Sequence, residues 1–326
     1  MNDSLLGKYT QYLLKLNRGY NKELGYAPHK PIMLLSVIQL IQKDFIYSNR
    51  VFITPELVLA FKKNWQKLVD TRHIENFALP FFHLKNEPFW DLVTCNGLTG
   101  VITTSKSIKS FKALRDNVAF AEIDKDLFTL CCDNVQSVVL SNTILEKYFP
   151  NTRDNYYSDI LSEAQASIET QILNEPKEEY QNHIKELKNK LDVEEFEEEI
   201  FIRGGIFKRT IPKIYNNTCC ISGMNIETSL NIQMIDACHI VPFSISNDDT
   251  IPNGISLSPN LHRAFDRGLI TINKDYVVRI SPAMKEAESV YSISQFDGCR
   301  ISLPDEAKYY PSTESLTWHN KEVFRL

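Results

Sequence analysis

"DACHIVPF", residues 236–243, sets a histidine between a cysteine and two branched apolar residues and closes on a proline. Taken alone, such a histidine is most often a satisfied member of a buried strand. The residues downstream argue otherwise. Asn253 follows in "NGISLS", His262 in "NLHRAFDRG", and Asp266 stands four residues beyond His262. Pro259 and Asn260 suit the start of a helix carrying His262 and Asp266. Positions i and i+4 share one helical face about 6 Å apart, so one imidazole and one carboxylate can grip a single divalent cation. His239 is better suited to proton chemistry, because an imidazole with an ordinary pKa near 6.5 can take a proton from water at neutral pH. Asn253 precedes a glycine, which predicts a turn in which its amide pins backbone groups and fixes the loop that orients His239.

Outward from this stretch, the chain has 326 residues, long for a single core, and two domains with a connector are expected. A hydrophobic fraction of 43 % and a charged fraction of 24 % fit a soluble globular protein. No apolar run is long enough to span a membrane, which argues against a membrane partner. The first residues, "MNDSLLGKYTQYLLKLN", interrupt their apolar positions with charges and do not read as a signal peptide, so a cytoplasmic location is expected. The 7 cysteines are irregularly spaced without a C-x-x-C pair, which disfavours a four-thiolate zinc site and fits buried free thiols. The net charge of −5 is unevenly spread. Residues 1–150 carry 18 Lys+Arg against 14 Asp+Glu, residues 151–200 carry 5 against 14, and residues 201–326 carry 13 of each. The mildly basic first region permits a phosphate-binding face.

Helices are expected over 4–17, 30–43 and "ITPELVLAFKKNWQKLV", the last with Thr54 as N-cap ahead of Pro55. "LPFFHLKNEPFWDLV" reads as two short aromatic strands around a turn at Asn86–Glu87, and residues 111–150 as mostly helical. The glycine-free, charge-dense segment 155–199 reads as connecting helices with a solvated face, ended by "IRGG". A helix running into a turn follows, then short strands, a loop, a helix and another strand over 230–281. The expected class is α+β: a mainly helical N-terminal domain (1–152), an acidic helical linker (153–202) and a C-terminal domain (203–326).

The segments "CCISG", "ACHIVPF" and "NGISLSPNLHRAFDRGLITI" resemble the HNH (ββα-metal) nuclease family over about residues 205–282. The resemblance implies His239 as general base, Asn253 as the middle asparagine, and His262 and Asp266 as metal ligands, with Mg²⁺ or Mn²⁺ as the divalent metal and Zn²⁺, Ni²⁺ or Co²⁺ as alternatives. Many members place Asp or His immediately before the base, where this chain has Cys238. Asp236, on the same side of an ideal strand, is then a candidate third ligand, with Cys238 either packing or acting as a soft ligand. The zinc knuckle that some members carry is not evident.

In the first region, "APHKPIMLL" puts His29 and Lys30 at a helix start, where free N–H groups favour a phosphate. "ALPFFHLKNEPFW" packs a proline and four aromatics into Pro80–Trp90. Together the two stretches resemble the sulfur-binding domain of phosphorothioate-dependent (type IV) restriction enzymes, over roughly residues 5–150. By that resemblance Leu79, Pro80 and Phe81 form an apolar cup for the sulfur, with His29 and Lys30 at the phosphate. The reading is a modification-dependent DNA endonuclease acting on double-stranded, phosphorothioate-modified DNA, with a homodimer left open. The alternatives are an HNH enzyme reading a modified base on Trp90 or Tyr20, and a DNA-binding regulator that no longer cuts.

Overall fold

The computed structural model describes residues 2–95, 108–156, 159–226, 234–287 and 289–325. The chain divides into two compact units, one of Met1–Ala164 with Val193–Ile202 and one of Gln165–Asp192 with Arg203–Leu326. Segment 153–202 is therefore helical throughout much of its length but shared between the units. Among the described residues no helix is long and apolar enough to cross a membrane.

The first unit is built around the helix His29–Gln42, buried from Lys30 to Ile41. "PIMLLSVIQLI" is apolar almost all round, and such a helix must be wrapped by others. Pro55–Leu68, Ala78–His83, Lys125–Cys132 and Asn134–Tyr148 supply the wrapping, and Asn2–Leu14 packs on the last two of these. Thr54 caps Pro55–Leu68 by accepting from the Leu57 N–H at 3.3 Å. A three-stranded antiparallel sheet completes the unit, ordered Arg50–Val51, Val118–Ile123, Trp90–Thr94. Its central strand interrupts a region expected to be helical.

Two further expectations are corrected. The stretch expected to form the first aromatic strand is a helix, Ala78–His83, followed by a 3₁₀ turn at Leu84–Asn86; only Trp90–Thr94 is a strand. Pro80 sits in the first helical turn, where its missing N–H costs nothing, and the Asn76 side chain accepts from the Leu79 N–H at 2.9 Å to start that turn. "IRGG" ends the acidic stretch but not the helix: one helix runs Val193–Ile214 through both glycines. Burial of Ile202, Ile206, Phe207 and Ile211 outweighs the roughly 1 kcal/mol that each helical glycine costs relative to alanine.

The second unit holds an antiparallel pair, Asp236–His239 with Gly254–Leu257, in the register Asp236↔Leu257 to His239↔Gly254. The helix Pro259–Asp266 follows, then the hairpin Ile270–Ile272/Val278–Ile280 and the helix Thr313–Glu322. Two strands followed directly by a helix place His239 and His262 on neighbouring elements, and the class is α+β.

Candidate functional site

His239 ends its strand half-buried, its ring lying parallel to Phe207 at 4.0 Å between centroids. That approach depends on the facing glycine. A Cβ on Gly254 would collide with the Ile211 side chain and stand 2.9 Å from Phe207 Cζ, so any side chain there would force both to shift. His239 Nε2 is 2.7 Å from Asp249 Oδ1, whose side chain is only 1 % exposed. Asn253 is buried and spans the loop between the strands. Its Oδ1 accepts from the Val241 N–H at 3.0 Å, and its Nδ2 donates to the Val241 and Asp248 carbonyls at 2.9 Å each. Its backbone carbonyl accepts from the Ile240 N–H. These bonds fix both ends of the loop that follows His239.

His262 and Asp266 lie on one face of their helix, Nε2 to Oδ2 at 3.4 Å. Cys238 Sγ is 3.7 Å from Asp266 Oδ1. The donor atoms of Cys238, His262 and Asp266 all lie within 4.8 Å of one another. One ion bonding nitrogen, oxygen and sulfur at about 2.0–2.3 Å can span such a set with small side-chain shifts. Burial, aided by the nearby Asp266 charge, pushes the Cys238 thiol well above its ordinary pKa, and a coordinated cation would reverse that by favouring the thiolate. Asp236, considered above as a third ligand, instead lies 3.0 Å from His262 Nδ1. A carboxylate on the far nitrogen of a metal-facing imidazole fixes its tautomer and ring plane. Asp236 thus stands beside His262 and outside the group of three clustered donors, which includes Cys238. His239, His262 and Asp266 all line one cleft of about 350 Å³. His319 also borders it, but its ring nitrogens are taken by Thr271 Oγ1 at 2.8 Å and the Phe265 carbonyl at 3.1 Å.

In the first unit a cavity of about 330 Å³ is lined by His29, Lys30, Leu79 and Pro80, together with Arg18 and His83. Phe81 is not on its wall. It is fully buried, packed edge-on against Trp90 and stacked with Phe77. Lys30 is also buried and ion-paired with Glu87, which accepts the Asn17 N–H as well. His29 bonds the Ile74 carbonyl at 2.9 Å, and burial drives its pKa down to about 4, so it is neutral at pH 7. Arg18 stands over the rings of Tyr148 and Tyr26 at 4.4 and 5.1 Å, and no carboxylate among the described residues pairs with it. Arg18 was not visible as a site residue in the sequence. Its one signal is its place as the fourth residue of "KLNRGYNKELGYAPHK", a basic, aromatic run leading to His29. Trp90 is fully buried and donates its indole N–H to the Phe81 carbonyl, so no extruded base can stack on it; Tyr20 is exposed, its ring 4.9 Å from that of Tyr26.

Residues 219–273 match the family model described as HNH endonuclease, and the second unit carries an HNH endonuclease domain. No curated protein matches the sequence. Among solved structures, the modification-dependent TagI restriction endonuclease aligns at 17 % identity over 36 % of this chain and 37 % of that one, with a TM-score of 0.29. The sulfur-binding domain of ScoMcrA complexed with phosphorothioated DNA aligns at 15 % identity over 47 % of this chain and 97 % of that one, with a TM-score of 0.35. The type IV phosphorothioation-dependent restriction endonuclease ScoMcrA aligns at 10 % identity over 78 % and 94 %, with a TM-score of 0.32. The chain thus spans little more than a third of TagI.

Proposed function

We propose that the protein is a modification-dependent DNA endonuclease, acting in the cytoplasm, that binds a phosphorothioate in duplex DNA through its first unit and hydrolyses a phosphodiester bond with its second. The observation that carries the catalytic half is the shared cleft of His239, His262 and Asp266. In this reading His239 takes a proton from water as the water oxygen attacks phosphorus, and the bridging P–O bond breaks. His262 and Asp266, with Cys238, hold a divalent cation, Mg²⁺ or Mn²⁺ or a softer ion suited to the thiol. When bound it would supply charge neutralisation at the phosphate and the departing oxygen. Asn253 keeps the loop after His239 in place, and Asp236 keeps the His262 ring in plane.

The recognition half rests on the first unit's cavity. Sulfur is larger and less well hydrated than oxygen, so an apolar wall of Leu79 and Pro80 favours it at one edge of a phosphate. Arg18 meets the remaining charge, because Lys30 is neutralised by Glu87 and His29 is uncharged. The test is cleavage by the full chain of matched duplexes with and without one phosphorothioate, in Mg²⁺ and in Mn²⁺. Preferential cutting of the sulfur duplex, lost in His239→Ala, is expected. Equal cutting of both duplexes overturns the recognition half, and cutting by His239→Ala overturns the catalytic half.

A further inference from the structure

We propose that Asp249, held from behind by Tyr180, is a positioning residue that fixes His239 in the tautomer able to take a proton from water. The inference rests on the reading of His239 as the base. It starts from two adjacent acids with different partners. Asp248 is turned to its own backbone, accepting from the Thr250 N–H at 2.9 Å and from Thr250 Oγ1 at 2.6 Å. Asp249 faces His239 Nε2 at 2.7 Å and is sealed from solvent. An ionised carboxylate only accepts, so the shared proton sits on Nε2 and the lone pair on Nδ1. The parallel Phe207 ring stops the imidazole from turning over.

Tyr180 is fully buried, and its hydroxyl donates to Asp249 Oδ2 at 3.4 Å. Burial and the nearby Asp249 charge raise the phenol further above its ordinary pKa, so it remains a donor. Its guanidinium neighbour Arg203 lies 5.7 Å from the ring and bonds Gln171 and His183. Tyr180 belongs to the helix Lys177–Lys190, in the stretch whose charge density suggested a solvated connector. That helix is part of the catalytic unit, and its buried face carries the outermost member of a Tyr180–Asp249–His239 chain.

The proposal makes an unusual prediction for the isosteric change. In Asp249→Asn the Tyr180 hydroxyl keeps the amide oxygen, so the amide NH₂ turns to His239 and donates to Nε2. The imidazole proton moves to Nδ1 and the base loses its lone pair there. The same kind of change at the orienting acid of a serine protease triad costs about 10⁴-fold. Here kcat should fall on the order of 10²-fold or more with DNA binding unchanged. Removing the hydroxyl as well, in Tyr180→Phe with Asp249→Asn, frees the amide oxygen to accept from Nε2 and should restore part of the rate. The tautomer is read directly by two-bond ¹⁵N–¹H correlation of ¹⁵N-histidine full-length protein, which needs no cleavage. Expected is a protonated Nε2 in the wild type, a protonated Nδ1 in Asp249→Asn, and a return towards Nε2 in the double variant. A wild-type His239 protonated on Nδ1, or an Asp249→Asn protein with unchanged tautomer, overturns the proposal; no recovery in the double variant removes Tyr180 from it. A His239→Ala enzyme that still cuts would defeat the base assignment instead, and the tautomer would still report the pair.

Discussion

The two sites are assembled on different plans. The HNH unit takes its three clustered donor groups, its proposed base His239 and its loop-fixing asparagine from one stretch, Asp236–Asp266, on two strands and a helix that follow each other in the chain. The cavity of the first unit gathers Arg18, His29 and Pro80 from three separate places in the chain. In the first, spacing alone assigns each residue a neighbour. In the second, the role of a residue is decided by what else it touches, and Lys30 is the example: well placed at a helix start, yet spent on Glu87.

The sharpest break between the sites is His239→Ala. General-base loss should reduce DNA hydrolysis about 10²–10⁴-fold and leave binding near wild type, because the proposed function draws its affinity from the other unit. Retained cutting by a folded variant, followed by product release on gels, would show that the local motif does not carry the chemistry. Lys30→Ala comes next and should behave in the opposite manner. It leaves the Glu87 carboxylate buried without its cation, a change of the kind that costs about 3–5 kcal/mol in folding stability. Denaturant unfolding checks it, and an unchanged midpoint would mean that the pair is not the constraint inferred here. His262→Ala and Asp266→Ala should lower both rate and Mn²⁺ affinity, the latter measured by calorimetry. Asp236→Asn should cost less, about 10–100-fold, as outer-sphere partners do. Equal losses for Asp236 and Asp266 would make both of them direct ligands.

Within the cavity, Arg18→Ala should weaken binding to sulfur-containing and ordinary DNA alike. It should also flatten the plot of log affinity against log salt by about one unit, since one phosphate contact releases about one counterion. Pro80→Ala should reduce the preference for sulfur and leave the slope alone. A cleavage-dead full chain makes both titrations possible, and a normal slope in Arg18→Ala would return the phosphate contact to another residue.

What could be read from the chain follows the same division. His262 and Asp266 were legible because a helix converts a four-residue spacing into a shared face, and Asn253 because a turn gives its amide only backbone to bond. Asp249 was not, although "NDDT" displays it beside Asp248: no periodicity tells which of two adjacent acids in a loop faces a histidine. Tyr180 was hidden by composition, since one buried face of a helix is outvoted by its charges. The resemblance alone puts Phe81 in the cup, and nothing in its local pattern tells which way its side chain turns. A helix instead turns Leu79 and Pro80 to the cavity and Phe81 to Phe77 and Trp90.

Acid should separate the units more gently. Each holds a neutral histidine: burial lowers the half-buried His29 to about 4 in the first and the fully buried His319 to about 4 in the second. The unfolded imidazole takes its proton near 6.5, so the folded state binds fewer protons and loses stability as pH falls from about 6.5 towards 4. The first unit also contains Glu198, raised to about 7 by burial despite Lys62, with Glu75 raised in the same direction. A carboxyl whose folded pKa lies above its unfolded one gains stability as pH falls through that interval, so Glu198 opposes His29 between about 7 and 4.5. Burial raises Asp248 in the second unit too, so it opposes His319 in sign. With the large opposing shift of Glu198 confined to the first unit, the second unit should lose more stability than the first between pH 6 and 5. Hydrogen exchange, corrected for the intrinsic rate, reads the two separately in the strand Ile270–Ile272 and the helix His29–Gln42. His319→Gln should remove the pH dependence from the strand alone. Equal losses in both elements, or a strand that remains acid-sensitive in His319→Gln, would show that the burial of this histidine is not what sets the difference.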